Sequence, residues 1–146
     1  MKTILLATLA ALVTALPAWA VDLASPDPVI GVTLGGIPRA YPLAAFAAAP
    51  VVNDEVGRLA VVVFYDREND VALAWFRLIG GEPLEFSGRA AGTVADDLTT
   101  ATRWDMISGK AVSGSLTGQK LIPIPVKRLP YDDWRKAYPK GTLFSP

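Results

Sequence analysis

The sequence contains no cysteine and no histidine among its 146 residues. The chain therefore has no disulfides, no cysteine–histidine or serine–histidine–aspartate nucleophile system, and none of the imidazole or thiolate ligands of zinc, copper and iron sites. Carboxylates, lysine, tyrosine, serine and threonine remain as candidate acids, bases or nucleophiles. We expect no cofactor, no metal site and no assignable catalytic residue, and a fold stabilised by burial and hydrogen bonding.

An excess of charge of either sign is also lacking, because 14 basic residues balance 14 acidic ones. A basic chain would suggest a polyanionic partner, and this balance gives no reason to expect nucleic acid or an anionic membrane. We therefore expect an unknown periplasmic protein or a small ligand as the partner.

Long apolar runs are scarce outside the N-terminus. Lys2, the apolar stretch 4–16 and the small-residue site Ala18-Trp19-Ala20 are typical of a signal peptide over residues 1–20. The stretch is shorter than the ~20 apolar residues of a bilayer span, and Pro17 near its end fits a retained anchor less well. We expect one exported domain over 21–146, without a membrane span, in the periplasm or outside the cell.

Within 21–146, short apolar runs are separated by glycine, asparagine and aspartate, which is typical of strands joined by tight turns. The run 59–65 is apolar on both faces, which predicts a central strand covered on each side. The run 71–78 is its expected partner, with Trp75 and Phe76 on opposite faces. We expect the stretch 92–125 to be the organising region, with one of its turns at Asp96-Asp97.

Two helices are predicted, and each begins at a proline, which suits the first turn of a helix. One covers residues 42–49. The other covers 130–138, with Asp132 and Asp133 in its first turn, where acidic side chains favour the helix dipole. The predicted fold class is α+β, dominated by antiparallel strands.

Arg39, Tyr41, Asn53 and Asp54 are the first candidate ligand-binding residues. Arg39 and Tyr41 share one face of a regular strand, and the pair Asn53-Asp54 follows after the short helix. One interpretation is a polar pocket in which the Arg39 guanidinium receives an anionic group. The alternative, which we favour, is that Arg39 pairs with Asp54 and braces the turn.

Asp66 is a further candidate, in the charged segment Asp66-x-Glu68-x-Asp70. A helix-loop-helix calcium loop would need glycine and glutamate where this chain has Val71 and Arg77. A solvated hairpin tip is the favoured interpretation, and a weak oxygen-ligand site is the alternative.

Arg103 and Trp104 complete the candidate set. A flat indole beside a guanidinium suits a recognition edge, although a tryptophan in a β-rich fold is more often packed in the core. We expect Asp96 and Asp97 to bond the backbone of their own turn. A Ser-Lys pair from Ser113 or Ser115 and Lys110 is disfavoured in so glycine-rich a loop.

A set of segments recurs in a characteristic order and spacing: 30–32, 39–43, 51–54, 97–104, 109–114, 116–118, 134–135, 138–139 and Thr142. Together they resemble the family catalogued as domain of unknown function 3179. The resemblance implies an exported or periplasmic bacterial protein and no established activity. Many relatives carry a Cys-Pro-x-Cys-Gly segment after the first long strand, where this chain has Asp66 and Asn69 near the missing thiols. A thiol-based role does not transfer to it.

Three functions remain open on the sequence alone. The leading one is a non-enzymatic binding or accessory module. The second is a hydrolase-like enzyme, which requires Arg39, Asp54 and Asp66 to converge in one concave pocket. The third is a degenerate structural domain that interacts through Trp104, which requires Trp104 to be exposed.

Overall fold

The computed structural model describes residues 27–88 and 92–146, and the predicted signal peptide lies outside these residues. Strands alternate with tight turns along the described chain. In order, the elements are β1 (Pro28–Leu34), β2 (Ile37–Pro42), a 3-10 turn (Leu43–Phe46), β3 (Val51–Val56), β4 (Leu59–Asp66), β5 (Val71–Phe76), β6 (Leu78–Ile79), β7 (Glu82–Pro83), β8 (Phe86–Gly88), β9 (Val94–Asp97), β10 (Thr102–Asp105), β11 (Lys110–Ser113), β12 (Ile122–Ile124), β13 (Val126–Pro130), α1 (Tyr131–Ala137) and β14 (Thr142–Leu143).

The strands form three four-stranded sheets and the small β6–β7 hairpin. The first sheet has the order β13-β1-β2-β14, the central sheet β12-β5-β4-β3, and the third sheet β11-β10-β9-β8. The pairing of β14 with β2 is parallel, and the other strand pairs of the described chain are antiparallel. Antiparallel pairing therefore dominates, as the sequence predicts.

Strand β4 is buried on both faces and places the central sheet between the other two. Val61 and Val63 belong to the core shared with the first sheet, whereas Val62 and Phe64 belong to the core shared with the third sheet. All four are fully buried. Alternation along a strand makes this division unavoidable once both faces are covered, and the prediction for 59–65 is confirmed.

The neighbouring strand β5 shows the same alternation. Trp75 lies in the core on the third-sheet side, and Phe76 packs against the core on the other side. The indole nitrogen of Trp75 donates to the carbonyl of Met106 at 3.1 Å, which ties the central sheet to the loop after β10.

The C-terminal helix α1 covers the outer face of the first sheet, and it lies within the predicted range 130–138. Trp134 packs against Val29 and Ala40. Its ring sits so close to Gly31 that a Cβ there would approach a ring carbon to 2.3 Å. Only glycine at this position admits the indole, so Gly31 and Trp134 together fix the helix on the sheet.

Other local predictions need correction. The helix expected over 42–49 is only the 3-10 turn Leu43–Phe46, because Pro50 disfavours helical geometry just before it and burial of Phe46 fixes the turn. Asp96 and Asp97 are the last residues of β9, and the turn follows them. The stretch 92–125 is not the organising region, because most of its strands belong to the outer third sheet. The strand that is buried on both faces is β4.

Candidate functional site

Arg39, Tyr41 and Asp54 form one hydrogen-bonded cluster between the first and central sheets. Arg39 Nε pairs with Asp54 Oδ2, and Arg39 Nη2 donates to Asp54 Oδ1 at 3.3 Å. The Tyr41 hydroxyl donates to Asp54 Oδ2 at 2.9 Å. The remaining Arg39 nitrogen, Nη1, donates to the Thr142 hydroxyl at 3.1 Å, and the Phe144 ring lies 5.6 Å from the guanidinium carbon.

The cluster is largely shielded from water and satisfied from within. The Arg39 and Asp54 side chains are 23% and 13% exposed. Burial, and after it the negative charge of Asp54, raises the pKa of Tyr41 well above its usual range, so Tyr41 stays a neutral donor. The bracing interpretation requires this Arg39–Asp54 pair, and all three Arg39 nitrogens already donate within the cluster.

Asn53 is next to Asp54 in sequence, but its side chain bonds to Phe86 and not to the Arg39 cluster. Its side-chain amide donates to the carbonyl of Phe86 at 2.8 Å and accepts from the Phe86 backbone N–H at 3.0 Å. The amide thus imitates a strand backbone and joins the edge of the central sheet to β8 of the third sheet. It forms a structural link between sheets.

Asp66 caps the turn that follows β4. Its Oδ1 accepts from the backbone N–H groups of Glu68 at 3.0 Å and Asn69 at 3.3 Å, and its Oδ2 accepts from the Asn69 side-chain amide at 2.7 Å. The Asn69 side chain lowers the pKa of Asp66 through this bond. Asp66 therefore fixes the turn that presents Arg67 and Glu68.

Asp70, at the end of the same turn, contacts Tyr65 and Arg128. It accepts from the Tyr65 hydroxyl at 2.8 Å and pairs with Arg128, whose guanidinium lies over the Tyr65 ring at 5.5 Å. The bonds from Tyr65 and then Arg128 lower the pKa of Asp70. Among the described residues, no group of three or more acidic side chains stands ready to hold a metal ion.

Arg103 and Trp104 point to opposite sides of β10. Arg103 makes a two-point pair with Asp96 across the strands, with contacts of 2.8 and 3.3 Å, on the exposed face of the third sheet. This pair raises the pKa of Arg103. Trp104 is fully buried and donates from Nε1 to Asp97 Oδ2 at 2.8 Å. A recognition edge at Trp104 is therefore wrong, because the indole has no exposed face.

Asp97 itself holds the turn after β9. Its carboxylate accepts from the Thr100 backbone N–H at 2.6 Å and from the Thr100 hydroxyl at 2.7 Å. Ser115, one member of the disfavoured Ser-Lys pair, donates instead to the Thr100 carbonyl at 2.7 Å.

The seven candidate residues do not form one site. Arg39, Tyr41 and Asp54 meet, whereas Asn53 faces the third sheet and Arg103 lies on its outer surface. Asp54 is opposite Val61 on β4, and Asp66 lies five residues farther along that strand, which is ~17 Å at about 3.3 Å per residue. The hydrolase-like interpretation requires Arg39, Asp54 and Asp66 to converge in one pocket, and they do not.

A cavity of about 170 Å³ opens at the Asp66 end of β4. Apolar side chains form one part of its lining, and the polar and charged groups of residues 66–68 form another. The residues that define it are Phe46, Ala47, Pro50, Tyr65, Arg67 and Glu68, with Asp66 and Gly92 completing it. Of these residues, the sequence alone indicated only Asp66, as a candidate, and Glu68, within the same charged segment. The available signal was a charged turn directly after the longest buried strand.

The rim charges differ from the five arginines of the described chain that have a carboxylate partner. Arg39, Arg77, Arg103, Arg128 and Arg135 each have a carboxylate within ion-pair distance. The side chains of Arg67 and Glu68 have no hydrogen bond or ion pair within residues 27–88 and 92–146. Both are therefore available to a ligand at the cavity mouth.

The described residues contain no helix long and apolar enough to span a membrane. The family model for a protein of unknown function (DUF3179) matches residues 11–146. No curated protein matches the chain.

Proposed function

The chain belongs to the DUF3179 family of proteins of unknown function, and we propose that it is a non-enzymatic binding or accessory module that acts in the periplasm or outside the cell. The observation that carries the proposal is the cavity at the end of β4, with unpaired Arg67 and Glu68 at its rim. Small-molecule sites are concave and combine apolar side chains with a few placed polar groups, and both kinds of group line this cavity.

The size of the cavity favours a small ligand. Clefts that take drug-sized molecules measure roughly 300–1,000 Å³, and this cavity has about 170 Å³. Its base is fixed, because the Asp66 carboxylate holds the turn and the Tyr65 hydroxyl is bonded to Asp70. A fixed base reduces the entropy that binding must overcome.

The same contacts argue against the two other functions. The Arg39 and Asp54 side chains satisfy one another, and Asp66 is remote from them, so an enzyme built on these three groups has no common pocket. Trp104 is fully buried, so no interaction surface is centred on it. A binding function at the β4 cavity requires neither arrangement.

A variant that fills the cavity tests the proposal. Ala47 lines the cavity and is exposed, so Ala47→Trp should occupy it, while Ala48→Trp on the neighbouring exposed residue is the matched control. We expect thermal shift screening of polar metabolites to yield a stabilising ligand for the wild type and Ala48→Trp. At about 100 times Kd such a ligand stabilises the fold by ~2.7 kcal/mol, and Ala47→Trp should lose this effect.

The result that contradicts a cavity-based function is an equal thermal shift for Ala47→Trp and the wild type. A screen without any stabilising ligand, joined to a pull-down from periplasmic extract without a partner, contradicts the binding module altogether. Ala47→Trp must first show the wild-type circular dichroism spectrum, so that a lost response reports the cavity and not the fold.

The location is tested separately by fractionating cells that express the full chain. Because residues 1–20 have the features of a signal peptide, we expect the periplasmic fraction or the medium to contain a polypeptide whose N-terminus is Val21. A full-length chain with Met1 retained, found in the membrane or cytoplasmic fraction, would contradict export and cleavage.

A further inference from the structure

Two aromatic side chains in mutual contact form part of the wall of the β4 cavity. The Phe46 and Tyr65 rings meet edge to face with centroids 5.8 Å apart and planes inclined by 62°. Both residues are almost fully buried, so only a small part of each borders the cavity. Pro50 adds a further apolar contact. This wall suits a compact aliphatic or aromatic group.

The rim presents two opposite charges from one fixed turn. Arg67 and Glu68 are consecutive residues, and the backbone that carries them is held by the Asp66 carboxylate. A guanidinium offers a planar fork of donors that matches a carboxylate. A carboxylate in turn accepts hydrogen bonds from an ammonium group. The rim is thus complementary to a ligand with both ionic groups a few bonds apart.

Taking the wall and rim together, we infer that the cavity binds a free α-amino acid with an apolar side chain. The ligand carboxylate pairs with Arg67, its ammonium group pairs with Glu68, and its side chain lies against Phe46 and Tyr65. This inference rests on the proposed binding function and specifies the ligand class. A neutral sugar would form no ion pair with Arg67 or Glu68. A simple anion or a simple cation would pair with only one of these two residues.

Derivatives of one ligand test each contact. Isothermal titration of the mature protein is made with leucine and phenylalanine, with their N-acetyl forms, and with their amides. We expect the free amino acids to bind, and each blocked form to bind more weakly by about tenfold or more, since each loses one charge-assisted pair. Equal binding of the free and blocked forms would overturn the inference.

Variants of the rim assign each ligand group to its partner. Arg67→Ala should weaken the free amino acid by about tenfold and leave the affinity for the amide nearly unchanged, because the amide already lacks the carboxylate. Glu68→Gln should weaken binding of the free amino acid by about tenfold. It should leave the affinity for the N-acetyl form nearly unchanged, because that form already lacks the ammonium group. The matched controls Arg58→Ala and Glu55→Gln remove exposed charges outside the cavity and should bind like the wild type.

The outcomes also separate this inference from the proposed function. If no amino acid binds but another metabolite does, and Ala47→Trp abolishes that binding, the ligand class is wrong and the binding module stands. If amino acids bind and neither rim variant changes their affinity, the assignment to this cavity is wrong. If no small molecule or partner binds, both proposals fail.

Discussion

Replacing Arg77 by alanine is expected to lower the free energy of unfolding by about 3–5 kcal/mol, because three backbone carbonyls lose their ionic donor in a largely buried place. The Arg77 side chain is 13% exposed. Its Nε donates to the Val61 carbonyl at 2.9 Å, Nη1 to the Leu84 carbonyl at 2.9 Å, and Nη2 to the Asp54 carbonyl at 3.3 Å.

These three acceptors belong to β4, β3 and the segment before β8, so one guanidinium joins three pieces of backbone. Lysine carries its charge at a single point and cannot match this fork. Arg77→Lys should therefore remain clearly destabilised, and Arg77→Met, which keeps much of the packing but has no donors, should resemble alanine. Each variant is compared with the wild type by urea denaturation at equal protein concentration.

The matched control for Arg77 is Arg135→Ala, which removes an exposed arginine paired with Asp132 on α1. It should leave the urea midpoint almost unchanged, because exposed pairs contribute little. Wild-type stability in Arg77→Met would show that the carbonyl contacts are not what holds these segments together.

The second large effect is expected for Asp54→Ala, with a loss of about 3–5 kcal/mol, since removal of one partner leaves a partly buried charge uncompensated. Arg39 loses both of its bonds to Asp54, and the Tyr41 hydroxyl loses its acceptor. For a domain of this size the thermal midpoint should fall by roughly 10–20 °C.

Asp96→Ala is the matched control, because it removes the carboxylate of another two-point Arg–Asp pair across strands. That pair with Arg103 is 40–46% exposed, and solvent and salt screen it. We expect little change in its thermal midpoint. If the two aspartate variants melt together, burial does not distinguish the pairs and the Arg39 cluster is not a brace.

A double variant of Arg39 and Asp54 completes this test. Arg39→Met with Asp54→Leu replaces both charges by apolar groups and should recover a large part of the stability lost in Asp54→Ala, since no unpaired charge then remains. Recovery would also indicate that the pair serves the fold and not a ligand. Ligand binding at the β4 cavity should be unaffected in such a variant.

The candidate residues illustrate why a sequence locates polar side chains more easily than it assigns their partners. Arg39 and Tyr41 share a face because strand side chains alternate, and that much follows from spacing. The bond from Tyr41 to Asp54 depends on how two sheets stack. Asn53 and Asp54 are adjacent, yet the pleat sends them to different layers.

The cavity was missed for a related reason. Phe46, Pro50 and Tyr65 come from the 3-10 turn, the segment before β3 and the end of β4, and none is chemically unusual alone. They meet because β3 folds back on β4, so that the Tyr65 N–H donates to the Pro50 carbonyl at 2.9 Å. Arg67 belongs to the site because it lines the cavity that these residues enclose.

The sequence by itself determined the chemistry that is absent, the dominance of antiparallel strands, the strand buried on both faces and the C-terminal helix, because composition and local periodicity act within one segment. The sequence favoured a packed Trp104 and an Arg39–Asp54 pair without excluding the alternatives. Tertiary structure decided between them, and it alone decided that β4 and not 92–125 lies at the centre. Those outcomes depend on the stacking of three sheets, and contacts between segments far apart in the chain leave no local pattern.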